Sequence, residues 1–462
     1  PAGAVSCLTG AVRAGLFVSF FCSEIHIMKL HALFVACALP LAALAAAAAP
    51  APAPEVVAYY PGWKSADFPV TETNIRAGNV SLIQYAFADI CWDGEHGNPA
   101  PDGGGVSACL DAQGQPSRPA NGSIVLPAPR ADAENLRKLI ALKRQHPRLR
   151  VLLSVGGWIW SNRFSDVAAT PAARQAFIAS ALELVRRHGL DGVDIDWEHP
   201  ATGGIPCIEG KVCHRSDDKE NYVRLAAELR SAFEHAGKQA AGRHYLITIA
   251  AGAHASLTDD SDAAPGWMAR LAAQLDWINL MTYDYRGVWD AENGQLAPLY
   301  ADQHDPQGGK HLHADATVTR FLRAGVPADK LVLGVPFYGY GWKQCAAGPR
   351  GDGLYQACQG AASGNDGSPT FTYRHLVEQG YLVDGQGARG FQRYWNSASQ
   401  VPYLYNRDSG VFISYEDAQS VAGKVRYIRD KGLRGGMFWE LSGDAQHVLG
   451  TALAPVLSQG KP

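Results

Sequence analysis

The sequence predicts an α/β fold, a closed (β/α)8 TIM barrel, and two observations carry that expectation. Short apolar runs bounded by turn residues recur eight times between residues 55 and 439, and segments of helical spacing separate most of them. The fourth run ends in a row of acids, and barrels of this kind gather their chemistry at the carboxyl ends of their strands. A doubly wound open sheet is the alternative; eight evenly spaced strands argue against it.

Taken in order, residues 56–60 form an apolar run closing on Pro61-Gly62, and residues 81–87 a second. The Gly/Pro/Asp-rich stretch over about 89–130 has no period and reads as a loop without elements of its own. Leu136, Leu139, Ile140 and Lys143 give residues 132–145 helical spacing. Residues 150–154 are the third strand, closing on Gly156-Gly157. The next helix is marked at both ends: Thr170 can cap it, Pro171 suits its first turn and Gly189 its end. Its buried face is Phe177, Ile178, Ala181, Leu182 and Val185. The fourth strand follows at once. Helices are expected near 218–236, 264–273 and 313–324, and strands at 245–250, 277–281 and 331–335. A helix from Glu416 to about Asp430 and a strand at 435–439 complete the eighth repeat.

One connection is out of scale. Residues 337–414 lie between strand 7 and helix 7, where a barrel loop runs to a handful of residues. Runs rich in β formers at 371–373, 390–395, 401–405 and 411–413 predict a small α+β insertion. The division is then a barrel over 55–336 and 415–458, interrupted by an insertion domain at 337–414.

The composition, 47% hydrophobic and 18% charged with a net charge of −3, is that of a globular protein with no basic surplus to attract nucleic acid. Numbering begins at a proline. Met28-Lys-Leu-His, an apolar run over 32–44 and the small residues 45–49 read as a secretory signal peptide over 28–49. Residues 1–27 then read as upstream translation, and 50–54 as a stiff Pro/Ala spacer. A membrane anchor is the rival reading, but the apolar run is short for a span of about 20 residues. A secreted protein with no membrane partner after cleavage is the expectation. Of nine cysteines, Cys7, Cys22 and Cys37 fall in the discarded part. The remaining six suggest disulfides, and the local pairs Cys91–Cys109, Cys207–Cys213 and Cys345–Cys358, each inside a Gly/Pro-rich loop, are favoured. No Cys-x-x-Cys is present to hold a structural zinc.

The fourth run is Asp191-Gly-Val-Asp-Ile-Asp-Trp-Glu-His-Pro200. Val193, Ile195 and Trp197 alternate with Asp194, Asp196 and Glu198, the period of a strand. Same-face neighbours stand about 6.6 Å apart. Three carboxylates stacked in an interior repel one another and lose hydration, so at least one pKa must rise. Such a group keeps a proton near neutral pH and can donate it. A solvated surface face is the bland alternative, and Mg²⁺ or Ca²⁺ ligation by Asp-x-Asp-x-Glu a second functional one.

Asp191-x-x-Asp194-x-Asp196-x-Glu198 resembles the signature of glycoside hydrolase family 18, the chitinases and their relatives, and further matches extend from about Val56 to Asp444. Ser154-Val-Gly-Gly157 is similar to the family's strand-three motif, whose Ser would hydrogen-bond the acid row. Met281-Thr-Tyr283-Asp284 resembles the strand-six motif, whose Tyr and Asp contact the sugar's N-acetyl group. Trp439 matches the Trp that floors the pocket, although a core Trp is the competing reading. Tyr59 and Phe87 match aromatic barrel positions, and plain packing competes at Phe87. Trp158 and Trp289 match cleft tryptophans that stack on sugars. The long insertion is similar to one that deepens the cleft in a chitinase subfamily. Two positions depart: Tyr340 stands where the family commonly has Arg, and Arg286 follows the strand-six motif; both are expected to alter subsite preference. His188 and His199 read as structural or exposed.

The resemblance implies catalysis by Glu198, Asp196, Asp194 and Tyr283, and substrate binding by Tyr59, Phe87, Gly157, Trp158, Met281, Asp284, Trp289 and Trp439. It implies no metal and no cofactor. The substrate would be chitin or N-acetylglucosamine oligomers, cut by a monomeric enzyme with retention. In that scheme the substrate's own acetamido group attacks, Glu198 is the acid and then the base, and Asp194 shares a proton with Asp196. An endo-β-N-acetylglucosaminidase acting on glycoprotein glycans is the alternative enzyme. A catalytically dead chitin-binding lectin is the alternative of another class, and such relatives typically lack the terminal Glu.

Overall fold

The computed structural model describes residues 52–205, 213–259 and 266–458. Eight strands form the centre: β1 Glu55–Pro61, β2 Leu82–Ile90, β3 Arg150–Gly156, β4 Gly192–Asp196, β5 Leu246–Gly252, β6 Trp277–Met281, β7 Leu331–Pro336 and β8 Gly435–Trp439. Each pairs in parallel with the next, and β1 pairs with both β2 (Val57 opposite Leu82) and β8 (Ala58 opposite Phe438). The sheet therefore closes on itself and leaves no edge. The predicted (β/α)8 barrel is the fold.

Alternation along the strands builds two cores. Val57, Tyr59, Leu82, Leu152, Trp277, Val332 and Met437 point inward and fill the barrel. Val56, Tyr60, Ile83, Val151, Ile195, Ile247 and Leu333 point outward against the helices. Burial on both faces explains why these strands read as apolar runs.

The helices that follow the strands are α1 Glu72–Ile75, α2 Pro129–Gln145, α3 Pro171–His188, α4 Asp218–Gln239, α5 Trp267–Gln274, α6 Ala314–Arg323, α7 Ala418–Asp430 and α8 Val448–Leu453. In α3 the Thr170 side chain accepts from the Ala173 N–H, Pro171 occupies the first turn, and Gly189 closes the helix at φ 69°. Helix α7 starts at Ala418 and not at Glu416, because the Asp417 carboxylate accepts from the N–H groups of Gln419 and Ser420 and caps it.

The stretch expected to be a bare loop holds a hairpin, Glu95–Asn98 with Gly105–Ala108, and a short strand, Ile124–Val125, antiparallel to the end of β2. The hairpin's second strand is exposed throughout, so no apolar alternation announces it. Its pairing is set by a triple-glycine turn and by the Cys91–Cys109 disulfide. Two short helices, Gly157–Trp160 and Phe164–Ala169, also intervene between β3 and α3. Strand β4 is shorter than the sequence pattern implied and ends at Asp196.

Between β7 and α7 stands a five-stranded antiparallel sheet in the spatial order Thr370–Thr372, Tyr338–Trp342, Val411–Ser414, Val401–Asn406, Phe391–Asn396. A helix, Tyr373–Glu378, accompanies it, so residue 373 begins a helix and does not end a strand. The first and last strands of this segment are hydrogen-bonded neighbours, with Tyr340 opposite Ser414. Cys345–Cys358 is a disulfide. The predicted Cys207–Cys213 pair involves Cys207, and the predicted signal peptide spans 28–49; both lie outside the described residues. Among the described residues no helix is long and apolar enough to cross a membrane.

Candidate active site

The carboxyl ends of the strands open into a cleft of about 1260 Å³. Asp194 and Asp196 stand on β4, and Glu198 follows two residues beyond its end. Asp191, first acid of the motif, lies at the opposite end. There it pairs with Lys143 at 2.6 Å and Arg243 at 3.0 Å and accepts from the Val151 N–H. It ties strand to helix and takes no part in the cleft.

Asp194 is buried inside the barrel. Its carboxylate accepts from Tyr59 of β1 at 3.0 Å, Ser154 of β3 at 2.7 Å, Thr248 of β5 at 2.5 Å and Asn279 of β6 at 3.4 Å. Burial pushes its pKa up, and the hydroxyl donors of Thr248, Ser154 and Tyr59 pull against that. Donors from four strands thus hold Asp194, and its charge acts on Asp196 beyond it. Asp196 has a buried Oδ1 without a partner. Its carboxyl is held well above the usual range by burial, then by the charge of Glu198 and then by Asp194.

Glu198 sits two residues beyond β4, where the Ser161 hydroxyl accepts from its backbone N–H at 2.8 Å. Burial, and then the Asp284 charge, push its pKa up to about 8. At neutral pH it therefore carries a proton. Tyr283 and Asp284 follow β6. The Tyr283 hydroxyl is raised well above its ordinary value by burial and then by Asp196. Asp284 adopts a left-handed backbone, φ 56°, uncommon outside glycine and asparagine-like residues and frequent at functional sites. Its carboxyl accepts from the Tyr338 hydroxyl at 2.7 Å and is pushed up to about 6 by burial.

The floor is aromatic. Trp439 stacks on Phe87 with ring centroids 5.5 Å apart, and packs on Tyr59 at 5.3 Å. Phe87 thus faces the cleft and is not mere packing. Gly157 makes room for it: a Cβ at 157 would meet the Phe87 ring at 2.6 Å. Met281 lines the same cleft. Three large rings stay in solvent around the rim: Trp158 at 51% exposure, Trp289 at 61% and Trp63 at 58%. Trp63 escaped the sequence reading, although its place directly after β1, in Pro61-Gly62-Trp63, is the signal that could have found it.

The structure separates the two family departures. Tyr340 lies in the cleft wall and meets Trp289 edge-on at 5.5 Å. Arg286 does not line the cleft. It is 1% exposed, and its guanidinium is consumed by Asp290 at 3.3 Å, Asp305 at 2.8 Å and the Glu292 carbonyl at 3.0 Å. It braces the loop that carries Trp289, so any influence on a subsite is indirect. His188 is half-buried in the last turn of α3. His199, set aside with it, lines the cleft with its Nε2 3.8 Å from Glu198 Oε2.

A protonated carboxyl, a second acid beside it and an aromatic floor suit general-acid attack on a bond in a ring-shaped, partly apolar substrate. Among the described residues no three His, Cys, Asp or Glu side chains converge as a metal site.

Comparison with known proteins gives a consistent picture. The family described as Glycosyl hydrolases family 18 matches residues 55–444. Chitinase A1 of Niallia circulans is 42% identical over 88% of this chain and 59% of its own length. Chitotriosidase-1 of Mus musculus is 32% identical over 67% of this chain and 61% of its own. This chain thus spans about three-fifths of those two relatives. Among solved structures, Chitinase ChiA74 from Bacillus thuringiensis superposes with a TM-score of 0.79 at 36% identity, covering 88% of this chain and 70% of that one. A family 18 N-acetylglucosaminidase from Paenibacillus barengoltzii gives 0.68 at 32%, covering 87% and 99%.

Proposed function

Since this chain belongs to glycoside hydrolase family 18, we propose that it is a chitinase, hydrolysing β-1,4 links between N-acetylglucosamine units with retention. The observation that carries this is the placement of Glu198 beside Asp196 and Tyr283 in one open cleft floored by Trp439, where burial and then Asp284 push the Glu198 carboxyl up to about 8. The acid protonates the leaving glycosidic oxygen. The carbonyl oxygen of the substrate's 2-acetamido group attacks the anomeric carbon from the other face and forms an oxazolinium ion. Asp196, whose Oδ1 lacks any partner in the free protein, accepts from the acetamido N–H and steadies that cation. Tyr283 orients the acetamido carbonyl. Glu198, now a carboxylate, takes the proton of the incoming water, whose oxygen opens the ring on the β face.

Asp194 works from beneath. Four donors hold its carboxyl in place beneath Asp196, and its charge adds to what keeps Asp196 above the usual range. The three exposed tryptophans, in the connections after β1, β3 and β6, suit the sugars of a long chain. That favours chitin over a branched glycoprotein glycan.

The test is sizing of products from defined N-acetylglucosamine oligomers with the anomer identified before mutarotation. A β-anomer agrees with acetamido participation; an α-anomer, or binding without cleavage, rejects the proposal. Secretion belongs to the same reading and is supported by the two disulfides. N-terminal sequencing of exported protein should find a start near residues 48–50.

A further inference from the structure

We propose that His199 is a positioning residue for Glu198: its imidazole N–H receives the carboxylate that Glu198 becomes when it gives up its proton. The proposal rests on the reading of Glu198 as the general acid.

The geometry supplies the donor. His199 follows Glu198 directly, and its Nε2 stands 3.8 Å from Oε2. The other ring nitrogen, Nδ1, is buried and has no hydrogen-bond partner. That edge of the ring rests on Gly252 at the end of β5, where a Cβ would lie 2.7 Å from Cε1 and 3.0 Å from Nδ1. Glycine at 252 is therefore what seats the ring. A buried N–H with no acceptor is costlier than a bare lone pair, so the proton belongs on Nε2, facing Glu198, and Nδ1 is left unprotonated.

The ring's surroundings keep it a neutral donor. Its titratable neighbours are Glu198 on its own segment and His254 from the loop after β5, with ring centroids 5.9 Å apart. Trp158 covers it from the helix after β3 at 6.5 Å. Beyond Glu198 stand Asp284, whose charge acts on Glu198, and Asp196, on which Glu198 acts in turn. Burial and then His254 pull its pKa down to about 4. A cation here would strip Glu198 of the proton it must deliver. A neutral N–H does not.

The separation of 3.8 Å is outside hydrogen-bond range while Glu198 is protonated, and contacts of this kind tighten as charge develops. In the first step the Glu198 proton moves to the glycosidic oxygen. The bond from that oxygen to the anomeric carbon breaks with its electron pair remaining on oxygen, and the acetamido oxygen bonds to the carbon. Oε2 is then anionic and accepts from the Nε2–H, which His199 keeps throughout. When water returns a proton to Glu198, the contact relaxes. An interaction that forms only as the proton leaves lowers the barrier without tightening ground-state binding.

The experiment follows the Glu198 carboxyl by infrared titration, with Glu198→Gln subtracted to isolate its C=O stretch. It compares wild type, His199→Phe, His199→Leu and His199→Gln, and records the pH profile of kcat/KM on the N-acetylglucosamine tetramer. Without the donor, Glu198 is expected to become about tenfold harder to ionise, a shift of about one pKa unit. The alkaline limb of the profile should move with it. kcat should fall roughly 10- to 100-fold with KM nearly constant. Gln, which keeps an N–H, should recover most of both effects. Leu takes the place of Phe if the larger ring does not fold.

An unmoved carboxyl titration in the apolar variants overturns the proposal, as does a Gln variant no better than they are. The titration needs no substrate. A shift in a protein that cleaves no oligomer would therefore retain this contact and reject the proposed function, while cleavage with no shift would do the reverse.

Discussion

Glu198 keeps its proton because burial, and then the charge of Asp284, disfavour its carboxylate, and that preference is measurable in two ways. Activity should fall along an alkaline limb near pH 8, where the acid ionises before meeting substrate. Glu198→Gln should lose nearly all turnover, about 10³-fold or more, while an oligomer still binds by calorimetry. The second consequence concerns stability. The folded pKa lies above the ordinary value of 4.5, so the native state binds more protons than the unfolded state between pH 4.5 and about 8. Wild-type stability is therefore lost as pH rises through that window. Glu198→Gln escapes the loss: it should be more stable than wild type above pH 8, by on the order of 5 kcal/mol, and the gap should close below pH 4.5. Calorimetric melts at both ends check the sign. The acid row was legible at this scale because alternation marks it. The difference between Arg286 and Tyr340 was not, since only the fold reveals that Asp305, 19 positions away, consumes the guanidinium.

Among the elements, the two ends of α3 were legible to the residue, since its cap, its first-turn proline and its terminal glycine are all local chemistry; on its expected buried face Leu182 is only half-buried and Leu184 is buried instead. Thr170→Ala removes the acceptor for the Ala173 N–H and should cost about 1 kcal/mol in urea unfolding, with Thr170→Ser close to wild type. The hairpin at 95–108 was illegible for the opposite reason. Its strands are short and largely exposed, and glycines and a disulfide set their register where apolar alternation does not. Yet it matters for the cleft. Asn98 of this hairpin donates to the Ile159 carbonyl at 2.7 Å, inside the helix that carries Trp158. A region without periodicity thus fixes the pose of a rim tryptophan.

For the whole molecule, closure of eight strands was readable from their number and spacing, because burial on both faces leaves an unmistakable apolar run. The rim was only partly readable: loops converge in space from distant sequence, and Trp63 carries no periodic mark. Binding along the groove is a property of this scale. Trp289→Ala should weaken binding of a hexamer roughly tenfold, about 1.4 kcal/mol, and leave a dimer little changed. Titration of both oligomers against an inactive Glu198→Gln background separates the two outcomes.

The segment inserted after β7 leaves and rejoins the barrel on adjacent antiparallel strands, with Tyr340 opposite Ser414. Its two covalent ties to the scaffold are thus a single ladder spacing apart, about 4.8 Å. The stem is zipped there, and Arg393 of the outermost strand adds a side-chain tie to Asp417, the cap of α7, at 2.6 Å. Beyond these ties, and beyond Tyr338, which donates to Asp284 at 2.7 Å, the loop tips can change the height of one bank of the groove while the stem keeps its place. Substrate reach and bond-breaking can be tuned as separate variables in one chain.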